Sequence, residues 1–410
     1  MASQRNIVIL GASWAGLSCA HYVLKHVIPA VQNEEFHVYL VGPDVNFYFN
    51  VAAPRAVASP KDMPNSKIFL PIAEGFRQYG SKNFTFVQGV ATSMDISGRT
   101  VSISEVGSGQ DRILPYHALV ICTGIRATSP VYTLSPSSKE TQEALEATNK
   151  RLGNAESILI AGGGPTGVET AGEIAEKLRE KLVSSKAAIM LYSGGKRLLP
   201  ALRPALAAKA ESYLKDLGVS VVHGAKVKST TQDTDGKTTV HFDNGDTKTV
   251  DVYIPCIGVT PNTSYLPSSL LTEKGYVRNN PKTLRVEDAG ERIYALGDVG
   301  THSNGGIFEA QSATVTAISN LKRDLLLAAD SQAPGAVQRA GEDKFFNKNE
   351  KETQLVTVGS GRGVGAFFGF AMPSFFIAKV KGKDYTAATA PAVVNGSRFK
   401  KEGRFAFWVS

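Results

Sequence analysis

Residues 6–17 read Asn6-Ile7-Val8-Ile9-Leu10-Gly11-Ala12-Ser13-Trp14-Ala15-Gly16-Leu17. Ile7 to Leu10 form an unbroken apolar run, the pattern of a parallel strand buried on both faces. A G-x-S-x-x-G turn follows at once, and residues 17–27 read as a helix. Strand, tight turn and helix start make a dinucleotide-binding fingerprint. Gly11 makes the turn, Gly16 lets helix pack on strand, and the helix N-terminus faces a pyrophosphate. Ser13 stands where the middle glycine is usual. A degenerate match alone is a weak signal, and its weight comes from a second copy.

That copy is cleaner. Residues 157–161 read as a strand, Gly162-Gly163-Gly164-Pro165-Thr166-Gly167 as the loop, and 168–182 as an amphipathic helix. All three fingerprint glycines are present. Glu169 lies just inside the helix, where a carboxylate suits the dipole. Contact with a nicotinamide ribose or amide is the sharper reading of that residue.

In each unit the next strand should end in a carboxylate that grips an adenosine ribose. After the strand at 36–41 that place holds Gly42, which leaves Asp44 as either a ribose ligand or a turn residue. After the strand at 187–192 comes Ser193-Gly194-Gly195-Lys196-Arg197. A missing acid and two cations remove the repulsion that would exclude a 2′-phosphate, so NADPH is admitted beside NADH. Lys196 and Arg197 fit solvated loop charges equally well.

Between and after these units lie shorter signals. Residues 46–56 run aromatic, small, then basic. Arg55 would place positive charge near a reduced flavin or balance a carboxylate. Residues 84–94 and 100–104 read as a hairpin, as do 237–242 and 247–254 around Asp243-Asn244-Gly245-Asp246. A buried strand at 117–123 ends in Thr123-Gly124. The Pro-, Ser- and Thr-rich stretch 127–138 suits a domain crossing. The chain returns through 256–262, which contains Gly258. Residues 276–278 and 283–286 read as short strands, and 292–300 as a strand and turn tipped by Gly297-Asp298, with a helix at 306–327. Beyond 336, paired strands flank 359–363, beside Phe367, Phe368, Phe370, Phe375 and Phe376. Those rings suit a packed cap domain, a hydrophobic channel or a membrane-touching surface.

A chain of 410 residues, 42% apolar and 20% charged, is long enough for two or three ordinary domains. The net charge of +8 comes without a run of five like charges, which favours an enzyme drawing in anionic cofactors over a nucleic-acid binder. Cys19, Cys122 and Cys256 are too scattered for a disulfide framework, and no C-x-x-C pair exists. The seven His show no metal-ligand spacing. A strand beginning near residue 6 leaves no room for a cleavable signal, and no apolar run is long enough to span a membrane. The opening Met1-Ala2 lacks the glycine that N-myristoylation requires. These points lead to an expectation of an intracellular protein with reduced thiols.

The order of the two glycine loops, Thr123-Gly124, residues 256–262 and Gly297-Asp298 resembles the two-dinucleotide-binding-domain flavoprotein reductases over nearly the whole chain. Within them, residues 50–56 and 363–370 are similar to the apoptosis-inducing-factor-like group that includes AMID and ferroptosis suppressor protein. The resemblance implies an α/β fold of two Rossmann-like domains plus a small α+β C-terminal domain. FAD would be bound by 1–126 and 265–335, NAD(P)H by 127–264, and 336–410 would form a cap or interface. It implies FAD on Gly11, Ser13, Trp14, Ala15, Gly16, Asp44, Arg55, Ala91, Thr123, Gly124, Gly297 and Asp298, with Asp298 on the ribityl chain. It implies NADH or NADPH on Gly162, Gly164, Pro165, Thr166, Gly167, Glu169, Ser193, Lys196 and Gly258. Glu169 and Arg55 would border the reactive end as the catalytic charges, with no metal. The group lacks a redox-active dithiol and reduces quinones, oxygen or artificial acceptors. A monomer or homodimer in the cytoplasm, or at the surface of the mitochondrial or another intracellular membrane, is the accompanying expectation. Two other readings stay open: a flavin-bearing redox sensor with non-specific DNA binding, and a reductase of a protein electron carrier.

Overall fold

The computed structural model describes residues 5–31, 35–109, 111–134, 136–184, 186–329 and 336–406. The N-terminal Met1-Ala2 and the division at 335/336 fall outside those residues. Five parallel strands form the centre of a seven-stranded sheet in the order Ile293–Ala295, Ala118–Ile121, Arg5–Leu10, Phe36–Gly42 and Phe84–Asp95. Thr100–Glu105 and Asp111–Pro115 extend it as an antiparallel meander. Alternate side chains of the first strand enter different cores: Ile7 and Ile9 pack on one face, Val8 and Leu10 on the other. Burial on both faces is why the strand carries no polar alternation.

A second sheet is wholly parallel, in the order Val219–His223, Ala188–Ser193, Ser157–Ala161 and Val252–Pro255. It splits its central strand the same way, with Ile158 and Ile160 on one side and Leu159 and Ala161 on the other. The chain passes between the two sheets at Ile125–Ala127 and Val259–Pro261, which pair antiparallel. Thr123 and Asn262 clamp this crossing. The Thr123 hydroxyl donates to the Asn262 carbonyl at 2.7 Å, and Asn262 Nδ2 donates to the Thr123 carbonyl at 2.9 Å.

The C-terminal part pairs Gln354–Val358 with Arg362–Phe367, followed by short helices out to Phe399. It is fastened back to the first unit, where Phe399 packs against Tyr22.

Three local expectations change. Residues 276–278 and 283–286 are not strands: they make isolated bridges, Val277 to Leu271 and Gly300, and Arg285 to Tyr294. Asn280 Oδ1 accepts the N–H groups of Lys282 and Thr283, and this turn breaks any ladder there. The first helix is α-helical over Trp14–Tyr22 and then widens into a π-turn, Val23–Val27. The strand Asp111–Pro115 carried no sequence signal, because only Leu114 of its residues is buried and no apolar alternation marks it. Among the described residues, no helix is long and apolar enough to cross a membrane.

Candidate functional site

Both glycine loops are built to one plan. Gly11 lies at φ +104°, and a methyl group there would sit 2.3 Å from the Cys122 carbonyl oxygen. Gly162 lies at φ +133°, with the Cys256 carbonyl at 2.4 Å from such a methyl. Only glycine satisfies both demands. Gly16 and Gly167 play the second part. A methyl on either would come within 2 Å of the preceding glycine carbonyl, at 1.6 and 1.9 Å, so helix and strand approach too closely for a side chain. The helices start at Trp14 and Pro165, and their free N–H groups point out of the loops. Gly164 is the extended N-cap of the second helix, and Pro165 occupies a position where the missing N–H costs nothing.

The first loop lines a cavity of about 430 Å³. Its wall comprises Gly11, Ser13, Trp14 and Ala15, Asp44, Thr123 and Gly124, Gly297 and Asp298, and the aromatic residues Tyr48 and Tyr132. Thr166 of the second loop lies on the same wall. A neighbouring cavity of about 650 Å³ shares Ile125, Val259 and Asp298 with it.

The wall fits a flavin dinucleotide. The Trp14 indole N–H is buried with no hydrogen-bond partner among the described residues, the position of a donor awaiting an acceptor. Trp14 itself is wedged between Phe47 and Phe49, with centroids at 5.6 and 5.3 Å. Asp298 is half-buried, and burial raises its carboxyl against the opposing Gly306 N–H. A ribityl hydroxyl would relieve that cost by donating to it.

Asp44 lines the cavity with its carboxylate already engaged. Oδ1 accepts from Asn46 N–H at 2.8 Å, and Oδ2 accepts from Ser138 N–H and hydroxyl at 2.8 and 3.0 Å. It therefore ties the first unit to the helix Ser138–Asn154. The absence of an acid at position 42 has a steric cause: a side chain on Gly42 would meet Ala12 Cβ at 2.4 Å. Ala91 sits off the cavity wall, packed with Tyr39 and Ile96 against the other core.

Arg55 and Glu169 are a correction to the picture of two free charges at the reactive edge, since neither lies on the cavity wall. Arg55 is buried and grips Glu173 with two nitrogens, Nε at 2.8 Å and Nη2 at 2.9 Å. Its Nη1 donates to the Lys383 carbonyl at 2.8 Å. Burial works against this guanidinium, but Glu173 more than offsets it and holds the group above its ordinary value. Glu169 Oε1 accepts from Lys381 Nζ at 2.5 Å and from Thr357 N–H at 3.2 Å. Burial pushes the Glu169 carboxyl up, against the pull of Lys381. The Tyr385 hydroxyl closes the network by donating to Glu173 at 3.1 Å and accepting from Thr357 at 2.9 Å.

Sequence reasoning missed Glu173, Thr357, Lys381 and Tyr385. Glu173 had a signal, because it follows Glu169 by four residues and so shares its helix face. Thr357 lies in the strand Gln354–Val358, and Lys381 and Tyr385 lie in and just after the short helical turn Ala378–Gly382, with no pattern that singles any of them out.

Cys19 and Cys122 are buried beside each other. Cys122 is buried at the cavity wall, and burial raises it well above its ordinary value. Burial pushes the Cys256 thiol up to about 12. Thiolates are therefore scarce at neutral pH. Among the described residues there is no cluster of three or more His, Cys, Asp or Glu that could hold a metal ion.

Around the second loop, Ser193 is buried at the end of its strand, and Gly258 (φ +72°) lies against Thr128. Lys196 is exposed. Arg197 is turned inward onto the carbonyls of Leu202 and Pro200.

Comparison with known proteins agrees with this construction. The family described as pyridine nucleotide-disulphide oxidoreductase matches residues 5–317. Oxidoreductase phnG of Penicillium herquei is 39% identical, across 97% of this chain and 98% of its own. Ferroptosis suppressor protein 1 of Xenopus tropicalis is 25% identical, over 92% of each chain. Among solved structures, the sulfide:quinone oxidoreductase of Aquifex aeolicus superposes with a TM-score of 0.69 at 14% identity, covering 96% of this chain and 92% of that one.

Proposed function

The chain belongs to the pyridine nucleotide-disulphide oxidoreductase family, and from that premise we propose that it carries reducing equivalents from NAD(P)H through FAD to a quinone or to oxygen. The observation that carries this reading is Thr166. It belongs to the second nucleotide loop, yet it lines the cavity built by the first. Two cradles that share a wall can bring a nicotinamide against a flavin.

The bound flavin would supply the redox chemistry, taking a hydride and returning its electrons to the second substrate. The protein's part is to hold and orient. Gly11 to Ala15 would present N–H groups to a pyrophosphate, and Asp298 would face the ribityl chain. Tyr132 holds the second helix to the cavity wall: its hydroxyl lies 2.7 Å from Thr170 Oγ1. The Arg55–Glu173 and Lys381–Glu169 pairs fix the same helix to both flanking units, so Thr166 cannot drift from the wall. Orientation of this kind is worth several kcal/mol, roughly 7 or more in favourable cases.

An apolar acceptor would approach past Ile307. Ile307 lines the cavity, and its neighbour Phe308 meets Phe368 and Phe367 edge-on at 5.2 and 6.3 Å. Phe367 pairs across the strand with Phe370, which is 74% exposed. Such a ridge suits entry of a quinone from a lipid surface.

The test is an anaerobic titration of purified protein with NADH and NADPH, followed by a panel of quinones, oxygen and protein carriers. Bleaching of the flavin band and reoxidation by quinone or oxygen support the reading. A colourless protein that takes up no flavin, or a reduced one that only a protein carrier reoxidises, defeats it.

A further inference from the structure

We propose that NADPH is the preferred coenzyme, its 2′-phosphate taken between Lys196 and Lys226. The inference rests on the second loop being the NAD(P)H cradle, and goes beyond it in assigning the coenzyme and the residues that choose it.

The strand Ala188–Ser193 ends beside the loop of the second fingerprint, where an adenosine ribose sits in this fold. No carboxylate ends the strand. Ser193 is buried, and its hydroxyl is turned under the loop: a methyl on Gly163 would lie 2.4 Å from Ser193 Oγ. It accepts the Gly195 N–H at 3.3 Å, so the next residues fold back close to the strand end. The rim that remains is Gly194-Gly195-Lys196, pinned to the adjacent strand where Gly224 N–H donates to the Gly195 carbonyl at 3.2 Å.

That pinning brings in a residue thirty positions away. The stem of Lys226 lies on Gly194, its Cγ 2.5 Å from where a methyl would stand. Lys226 and Lys196 are both exposed, and neither ammonium meets a carboxylate among the described residues. Arg197 is excluded, because its guanidinium is spent on two carbonyls of its own loop.

Two acids on the flanking segments are engaged. Glu211 is held by His223 at 2.9 Å and Lys215 at 2.8 Å. Asp243 Oδ1 accepts the Lys226 N–H at 2.9 Å, which anchors that backbone. A dianionic phosphate placed here meets two cations, whereas the two ribose hydroxyls of NADH meet no carboxylate at the strand end.

The experiment compares kcat/KM for NADPH and NADH in the holoenzyme, and the affinity of 2′,5′-ADP against 5′-AMP by calorimetry. The expected result is a preference for NADPH, with 2′,5′-ADP the tighter ligand and its advantage shrinking as salt rises. Lys226→Ala and Lys196→Ala should each lower kcat/KM for NADPH by roughly tenfold and for NADH by far less. Equal binding of the two nucleotides, a wild-type preference for NADH, or equal losses for both coenzymes in the Lys226 variant would overturn the assignment. If neither coenzyme reduces the flavin, the proposed function fails, and the nucleotide affinities still judge the phosphate site.

Discussion

Both carboxylate oxygens of Glu173 are held by Arg55, at 2.8 and 2.9 Å, across the boundary between the two nucleotide-binding units. The pair is buried, with both side chains about one-twentieth exposed. The same carboxylate takes the Tyr385 hydroxyl from the C-terminal part. One ion pair thus joins three regions that are far apart in sequence.

Breaking that pair from one side should be costly. Arg55→Met leaves Glu173 buried without its counter-charge, and a loss of about 3–5 kcal/mol is expected. The double replacement Arg55→Met, Glu173→Met should recover much of it, because no lone buried charge remains. Urea unfolding of both variants checks this. A double variant no more stable than the single one would show that the charges matter less than the shapes they fill.

Glu169 acts at one remove. It lies three residues after Thr166, and its pair with Lys381 holds the start of the helix. Glu169→Gln and Lys381→Met should slow flavin reduction on the order of tenfold, as expected of a displaced donor. The fall should appear in the limiting rate more than in the apparent coenzyme affinity. Stopped-flow traces that match wild type would remove this pair from the reaction.

Two aspartates on the cavity wall should separate cleanly. Asp298→Ala should yield protein depleted of flavin, because the carboxylate proposed to face the ribityl chain is gone. Asp44→Ala should keep its flavin but lose about 1 kcal/mol, since the accepted bonds from Ser138 act as a helix-start cap. Absorbance ratios and thermal melts read the two effects. Flavin loss in the Asp44 variant would return it to the ribose.

Acid should destabilise the protein through His21. Its ring is stacked on Phe76 at 4.1 Å, donates to the Val394 carbonyl at 2.7 Å and lies 2.9 Å from the Tyr79 hydroxyl. Burial lowers its pKa to about 3. The unfolded chain takes up the proton below about pH 6.5 and the folded one does not. The neutral ring's contribution is therefore whole above that value and drains away as pH falls toward 3. At pH 5 the loss relative to pH 8 is about 2 kcal/mol. Burial also lowers His302 and His117 to about 4, which adds in the same direction. Urea midpoints measured from pH 8 to 5 should fall, and less steeply in His21→Gln. A flat profile would contradict the burial of these rings.

The sequence alone determined the two nucleotide cradles and their order. Each is a local device: an apolar strand, glycines where no side chain fits, and a helix start whose amides need an anion. Such requirements are met within a dozen residues, so they are written there, as at Gly11 to Gly16 and Gly162 to Gly167. The long helix and the first hairpin were legible for the same reason, whereas the strand read as 247–254 divides: Thr247–Val250 completes the second hairpin and Val252–Pro255 enters the parallel sheet. Only the tertiary structure decided which charges meet. Arg55 reads as a flavin neighbour until Glu173 arrives from 118 residues away, and Glu169 as a coenzyme contact until Lys381 arrives from 212. Asp44 is drawn to Ser138, and Lys226 comes to lie on Gly194, with nothing near either residue to announce it. A buried charge must find its partner wherever packing brings one, and packing is a property of the whole chain.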